Sequence, residues 1–562
     1  MVKDSKKIII LILTLISMML VGCANQLPPG GGEIDLIPPE IIYVLPESGT
    51  TNYKEAFIEF EFSEYVDKRS FKEAVFISPS IDGDLEINWS GTGCRIYFPS
   101  KLKENITYTI TIGTDVVDFN NKNRMAESFN LVFSTGEKID YRRIEGNVYF
   151  EKPNGIMLFA YKIEDHDTIN PSKVKPDYVS QSGDLGQYSI AGLAKGSYRV
   201  FAVKDEYKDF LFQAEQDLVG VPTQDVYLSE EDSLFSGLNF YLSKIDTIKP
   251  RILSALMTDR NHILLGFSEE IDLTKLSKEN FKFVDSTENL EYKLRHIYKG
   301  RTKVNEAVVT LSDSLPIENR IYLIVNNFHD LIGNISKYDY TEVTVYDKLD
   351  TTSVMLVSTT PDRGNDQVDF IDTKILFSFD DAFDIDPVRK GITFSDTSKQ
   401  NLQFDVERID DASFYFIPKN QLKPQTFYNI NINFNYFKDV AGNSIDSIYL
   451  YNFKTFNGQN FTGLSGSVIY VELDKNPILV LEDIKDKNNT YRLNLTKSKF
   501  EFARVKPGEY KISCFYDENK DGKYSYGFPY EFIPAEKFFI STADLNLPPR
   551  WSVSDFEFVI IR

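Results

Sequence analysis

Apolar and polar side chains alternate from Phe427 to Phe434, with Phe427, Ile430, Ile432 and Phe434 apolar and Asn429, Asn431 and Asn433 polar. This period of two predicts a half-buried strand. The run Asp439-Val440-Ala441-Gly442-Asn443 ends it as a turn, because Asp and Asn bond their own backbone two residues on and Gly accepts a positive φ. The same plan recurs at 315–334 and at 102–121, where Asn120-Asn121 stands in place of Gly-Asn. Upstream of each copy lies a strand closing on acidic residues: Phe60-Glu61-Phe62-Ser63-Glu64, Leu265-Gly266-Phe267-Ser268-Glu269 and Phe377-Ser378-Phe379-Asp380-Asp381. The units open near Asp35, Asp246 and Asp350, which predicts three like domains with room for one more between the first and second.

An opening Asp-x-x-x-Pro, a strand ending Phe-Ser-Glu, a Leu-x-x-x-x-x-Tyr strand and an Asp-x-x-Gly-Asn turn together resemble the bacterial Ig-like domain of surface-layer (SbsA-type) proteins. The third copy departs by carrying Asp380-Asp381 and lacking the opening Pro; the first keeps Asp118. The resemblance implies β-sandwiches at 35–140, 246–349 and 350–456.

A second pair of echoes lies outside these copies. Residues 186–209 and 499–521 pair Ala191 with Ala503, Gly196 with Gly508, Tyr198 with Tyr510 and Asp205 with Asp517. Alternation on both sides of a Gly predicts a hairpin. With the openings Ile144-Glu145-Gly146-Asn147-Val148 and Leu464-Ser465-Gly466-Ser467-Val468, these stretches resemble carboxypeptidase regulatory-like domains of the transthyretin type. That implies two further sandwiches, 141–245 and 457–562, and an all-β chain of tandem sandwiches. The resemblance is to the non-catalytic module. A zinc carboxypeptidase needs His-x-x-Glu, and none of His166, His262, His296 or His329 has Glu three residues later.

Residues 1–22 carry Lys3, Lys6 and Lys7 before an apolar run from Ile8 to Val21, the layout of a secretory signal, too short to span a membrane comfortably. The end Leu20-Val21-Gly22-Cys23 resembles the lipobox of bacterial lipoproteins, which implies acylation of Cys23 and anchoring in a membrane; an ordinary signal followed by a chance cysteine is the other reading. Ala24, not Asp, follows, which by the same resemblance favours the outer membrane. Residues 23–34, with Pro28-Pro29 and Gly30-Gly31-Gly32, read as a flexible tether.

A chain of 562 residues exceeds one hydrophobic core, and 43 Phe and 32 Tyr supply several. A formal charge of -21 excludes a nucleic-acid footprint. Cys94 and Cys514 read as two buried thiols or as a long-range disulfide.

The sharpest chemical motif is Asp517-x-Asn519-x-Asp521-Gly522, the first half of a calcium loop, with Lys523 and Ser525 at the next ligand positions but Phe528 where a bidentate Glu belongs. It reads either as a Ca2+ site or as an Asx-rich turn. The equivalent stretch from Asp205 has lost the Asn and Gly and predicts no metal. Tyr524, Tyr526, Phe528, Tyr530 and Phe532 alternate, so an extended segment would place them on one side, as a sugar-stacking platform with Tyr524, Tyr526 and Tyr530 or as core or junction filling. There is no Gly-x-Ser-x-Gly and no phosphate-cradling loop, and pairs such as Glu269-Glu270 and Asp380-Asp381 read as solvated strand ends. The expectation is a non-enzymatic, lipid-anchored envelope protein similar to lipoproteins of Bacteroidota, an elongated arm or scaffold for envelope protein partners in assembly or secretion machinery. A glycan- or peptide-binding lipoprotein is the alternative.

Overall fold

The computed structural model describes residues 35–560 apart from 82, 166–167, 459–460, 488 and 542. The expected signal, Cys23 and the tether lie outside the described residues. Among the described residues five large clusters of buried apolar side chains occur, drawn from 53–133, 144–242, 252–343, 354–453 and 464–560. One compact unit holds the described residues up to Ser243 together with Tyr526–Ala535, and a second holds Lys244–Ser525 and the described residues from Glu536.

The sandwiches at 35–140 and 350–456 share one topology. In the first, Ile41–Leu45, Phe57–Phe62, Gly93–Tyr97 and Glu86–Ser90 pair in that order, and Val75–Ser78, Thr107–Ile112 and Phe129–Ser134 form the facing sheet. In the other, Leu356–Thr360, Ile375–Phe379, Ser413–Pro418 and Phe404–Asp410 face Ile392–Asp396, Phe427–Asn433 and Ile448–Lys454. At 246–349 the corresponding sheets are continuous, because Ile252–Met257 pairs in parallel with Ile335–Thr344. The inward face of Phe427–Asn433 is set by Tyr428, Ile430 and Ile432, with Phe434 following. Phe427, expected among them, is exposed, since its odd spacing from Tyr428 turns it to the other side of the pleat.

The Leu-x-x-x-x-x-Tyr motif has a local cause. Tyr108 Oη accepts the N–H of Lys103 at 3.0 Å and Tyr428 Oη that of Lys423 at 2.8 Å, so each ring is buried and its hydroxyl pins the chain entering the strand.

The predicted hairpins are sheet-to-sheet corners instead. Gln187–Leu193 pairs with Arg142–Tyr149, whereas Gly196–Lys204 pairs with Met157–Lys162 in the facing sheet. Lys499–Val505 and Gly508–Tyr516 divide in the same way, onto Thr462–Ile469 and Pro477–Asp483. Tyr198 donates its hydroxyl to Ala194 O at 2.9 Å and Tyr510 to Lys506 O at 2.8 Å, fixing both corners. Alternation reveals which face of a strand is buried, but not which strand lies beside it.

The aromatic segment is not extended. Phe528 and Ile533 exchange backbone bonds of 2.8 and 2.9 Å, and Gly527, Glu531 and Phe532 have positive φ, so the chain doubles back. Within the first unit Phe532 lies under the Arg199 guanidinium, 3.4 Å from ring centroid to Cζ, and Tyr530 packs 6.0 Å from Phe212 with its hydroxyl 3.1 Å from Ser172 Oγ. Tyr524 is edge-on to Phe515 and Phe538 in the C-terminal module. A one-sided platform is therefore not formed; of the three tyrosines, Tyr526 stays 46% exposed.

Candidate functional site

The parts of the repeated motif converge at one corner of each of the three copies. The opening acid makes an Asx turn: Asp35, Asp246 and Asp350 accept the N–H of Ile37, Ile248 and Thr352 at 2.9, 2.8 and 3.0 Å. Five residues on, the N–H groups of Glu40, Arg251 and Met355 donate to the side chains of Ser63, Ser268 and Asp380 at 3.0, 2.9 and 2.7 Å. Asp380 thus does the work of serine, which explains that departure in the third copy. The turn acid Asp118, Asp330 or Asp439 accepts the N–H of Asn123, Asn334 or Asn443, and the amide of that Asn reaches the carbonyl of Asp35, Asp246 or Asp350 at 3.0, 3.1 and 3.3 Å.

This geometry corrects the first copy's turn. Its counterpart of Gly442-Asn443 is Lys122-Asn123, not Asn120-Asn121, because the loop is one residue longer and Lys122 takes the positive φ of 63° that Gly442 takes at 89°.

Three carboxylates therefore meet at the second and third corners. Asp350, Asp381 and Asp439 present oxygens within 4.8 Å of one another, as do Asp246, Glu269 and Asp330. Their charges add to burial in raising pKa values: burial, then Asp246 and Asp330, push Glu269 up; burial, then Asp118 and Asp35, push Glu64 up. Burial likewise raises Asp439, with its hydrogen bonds to Asn443 opposing and the Asp350 and Asp381 charges adding. Asp381 is buried, so a solvated strand end does not account for it.

In the second unit the third corner abuts the 246–349 sandwich. His262, its side chain 8% exposed, places Nδ1 2.8 Å from Asp259 Oδ1 and Nε2 2.9 Å from Asp381 Oδ1. Burial opposes the charged imidazole, but the hydrogen bonds and charges of Asp259 and Asp381 outweigh it and hold the pKa at about 10. Tyr298 donates to the same Asp381 oxygen at 2.8 Å, and Ile297 N–H to Asp411 Oδ2 at 2.8 Å. Tyr298, Ala382 and Ala412 form a small apolar seam beside them. His262 and Asp381 lie 119 residues apart along the chain, so no local pattern joins them. The threefold recurrence of opening acid, strand-end acid and turn acid was the available signal.

His296 faces the same junction with the opposite behaviour. It is buried, its Nδ1 lies 2.9 Å from Thr310 Oγ1, and burial, then Arg295 and Lys278, pull its pKa down to about 4. Between pH 6.5 and 4 the unfolded chain takes up a proton that the folded chain refuses, so stability falls as pH drops through that window. Replacing His296 by Gln should remove about 2 kcal/mol of this acid sensitivity in denaturant melts between pH 7 and 5; an unchanged slope would contradict it.

At the calcium-like loop, Asp517 accepts the N–H groups of Asp521 and Gly522 at 3.1 and 3.0 Å, Asn519 Oδ1 accepts that of Asp521 at 2.9 Å, and Asp521 accepts that of Lys523 at 2.7 Å. Ser525 Oγ accepts from the Asn519 amide at 2.9 Å. The carboxylate facing the loop is the buried Glu536, which accepts the N–H groups of Glu518 and Ser525 at 2.9 and 3.0 Å. Glu531, the first acid after Phe528 along the chain, is exposed. Asp205 repeats the turn without the rest, accepting the N–H groups of Lys208 and Phe210 at 2.7 and 2.9 Å. Cys94 and Cys514 are buried free thiols, each pushed up to about 12 by burial.

Residues 35–135 and 350–455 match the family described as bacterial Ig-like domain, and these segments are Ig-like domains of that kind. Residues 469–560 match a family described as an uncharacterized protein conserved in bacteria (DUF2141). No curated protein matches the chain. Among solved structures, the N-terminal part of the bacterial S-layer protein SbsC is similar at 13% identity over 37% of this chain and 44% of that one, with a TM-score of 0.16. SbsC domains 1–6 match at 9% over 91% and 67%, TM-score 0.17. L,D-transpeptidase 1 of Mycobacterium tuberculosis matches at 12% over 33% and 88%, TM-score 0.15. The chain thus spans less than half of the SbsC N-terminal part.

Proposed function

We propose that this chain is a non-enzymatic lipoprotein of the cell envelope, anchored at Cys23 in the outer membrane, whose tandem sandwiches serve as a scaffold for envelope proteins in an assembly or secretion machinery. The observation that supports a scaffold most is the junction of the second unit, where His262, Tyr298 and Ile297 of one sandwich bond Asp381 and Asp411 of the next. A joint made of buried bonds holds two interaction surfaces in a set relation, the property a scaffold needs. Function in Ig-like folds lies in what their surfaces meet rather than in the fold. Photo-crosslinking side chains placed singly at exposed Tyr340, Tyr436 and Tyr470 in living cells provide the test. Discrete adducts with envelope proteins from more than one module are expected. Absence of adducts at all three positions, with the protein intact in the membrane fraction, would contradict the scaffold.

A further inference from the structure

One oxygen in the second unit lacks the partner that its burial demands. The Asp350 side chain is 2% exposed; its Oδ1 accepts from the N–H and hydroxyl of Thr352, but Oδ2 is buried with no hydrogen bond, the nearest cationic atom being His262 Nδ1 at 3.9 Å. A buried carboxylate oxygen without a donor is strongly unfavourable. The same carboxyl group clusters with those of Asp381 and Asp439, one oxygen of each lying within 4.8 Å of the others.

We propose that Asp350, Asp381 and Asp439 bind a hard divalent cation of the calcium type at the corner where the 350–456 sandwich meets the 246–349 sandwich. The ligand set suits the larger ion. Calcium takes about six to eight oxygens in flexible geometry and accepts several carboxylates at once, whereas magnesium demands a near-ideal octahedron and keeps several of its waters. The surroundings also suit it: three carboxyl groups gather here, and among the described residues His262 is the only basic side chain within ion-pair distance of them. Free valence remains on each ligand. Asp381 Oδ1 is saturated by Ala382 N–H, Tyr298 Oη and His262, leaving Oδ2, and the two Asp439 oxygens each accept only from Asn443. The ion would tie the opening segment, the strand end and the turn together beneath the inter-module joint. This inference is independent of anchoring at Cys23.

Calorimetric titration of the purified full chain with CaCl2 and with MgCl2, and thermal melts in EDTA or excess calcium, test it. Calcium should bind more tightly than magnesium, and the melting transition of the second unit should rise by several degrees. Asp350→Asn keeps the Thr352 bonds and should reduce calcium affinity at this site at least tenfold, with Asp439→Asn as the second variant should the first fail to fold. Asp521→Ala, which disables the 517–525 loop, should leave this site's heat and melting shift in place. No calcium-dependent heat or shift, or effects that survive Asp350→Asn and Asp439→Asn yet vanish in Asp521→Ala, would overturn the proposal.

Discussion

Replacing His262 by alanine should destabilise the second unit by about 3–5 kcal/mol, the range for removing one partner of a buried ion pair and leaving the other charge uncompensated. Asp259 and Asp381 both lose their 2.8 and 2.9 Å partner, and Asp381 stays buried against Tyr298. In denaturant melts followed by fluorescence or circular dichroism, the transition assigned to Lys244–Ser525 and beyond should move, while that of the first unit should not. His262→Gln, which keeps one hydrogen-bonding nitrogen, should recover part of the loss. A change below 1 kcal/mol in the alanine variant would mean that the joint carries little of the unit's stability.

The second large effect belongs to a glycine. In the opening Leu464-Ser465-Gly466-Ser467-Val468, the strand Thr462–Ile469 pairs in parallel with Val553–Val559, and a Cβ on Gly466 would stand 1.9 Å from Phe556 O. The matching opening has the same cause, since a Cβ on Gly146 would stand 2.0 Å from Leu238 O. Backbone cannot step aside as a flexible side chain can, so Gly466→Ala should cost about 3 kcal/mol, the upper part of the usual overpacking range. It should loosen the C-terminal module selectively, which hydrogen exchange across 462–469 and 553–559 would register. Protection equal to wild type there would contradict the close approach.

Those glycines were legible as a shared motif, but their cause was not, because a close approach to the distant carbonyls of Leu238 and Phe556 leaves no local trace. Other parts of the fold were legible in kind and missed in partner. The alternation in Tyr428, Ile430 and Ile432 announced a half-buried strand. The equal alternation around Gly196 and Gly508 announced two strands without revealing that they enter different sheets. The motif acids at 35, 246 and 350, at 64, 269 and 381, and at 118, 330 and 439 were all visible. Their meeting at one corner depends on the sandwich closing, which no spacing states. Glu536 was missed for a like reason: residues 526–535 leave the C-terminal module and return, carrying it beyond the reach of a loop-length rule.

The proposed function depends on the anchor at Cys23. Full-length protein and a Cys23→Ser variant, expressed in the native envelope, should be separated into soluble and membrane fractions after a high-salt wash, and the N-terminal peptide of the wild type weighed by mass spectrometry. The account predicts wild type in the membrane fraction with an acylated Cys23 at its N-terminus, and the variant without acyl mass and released from the membrane, since several acyl chains are needed to hold a protein there stably. An unacylated wild-type N-terminus, with both forms fractionating alike, would contradict it.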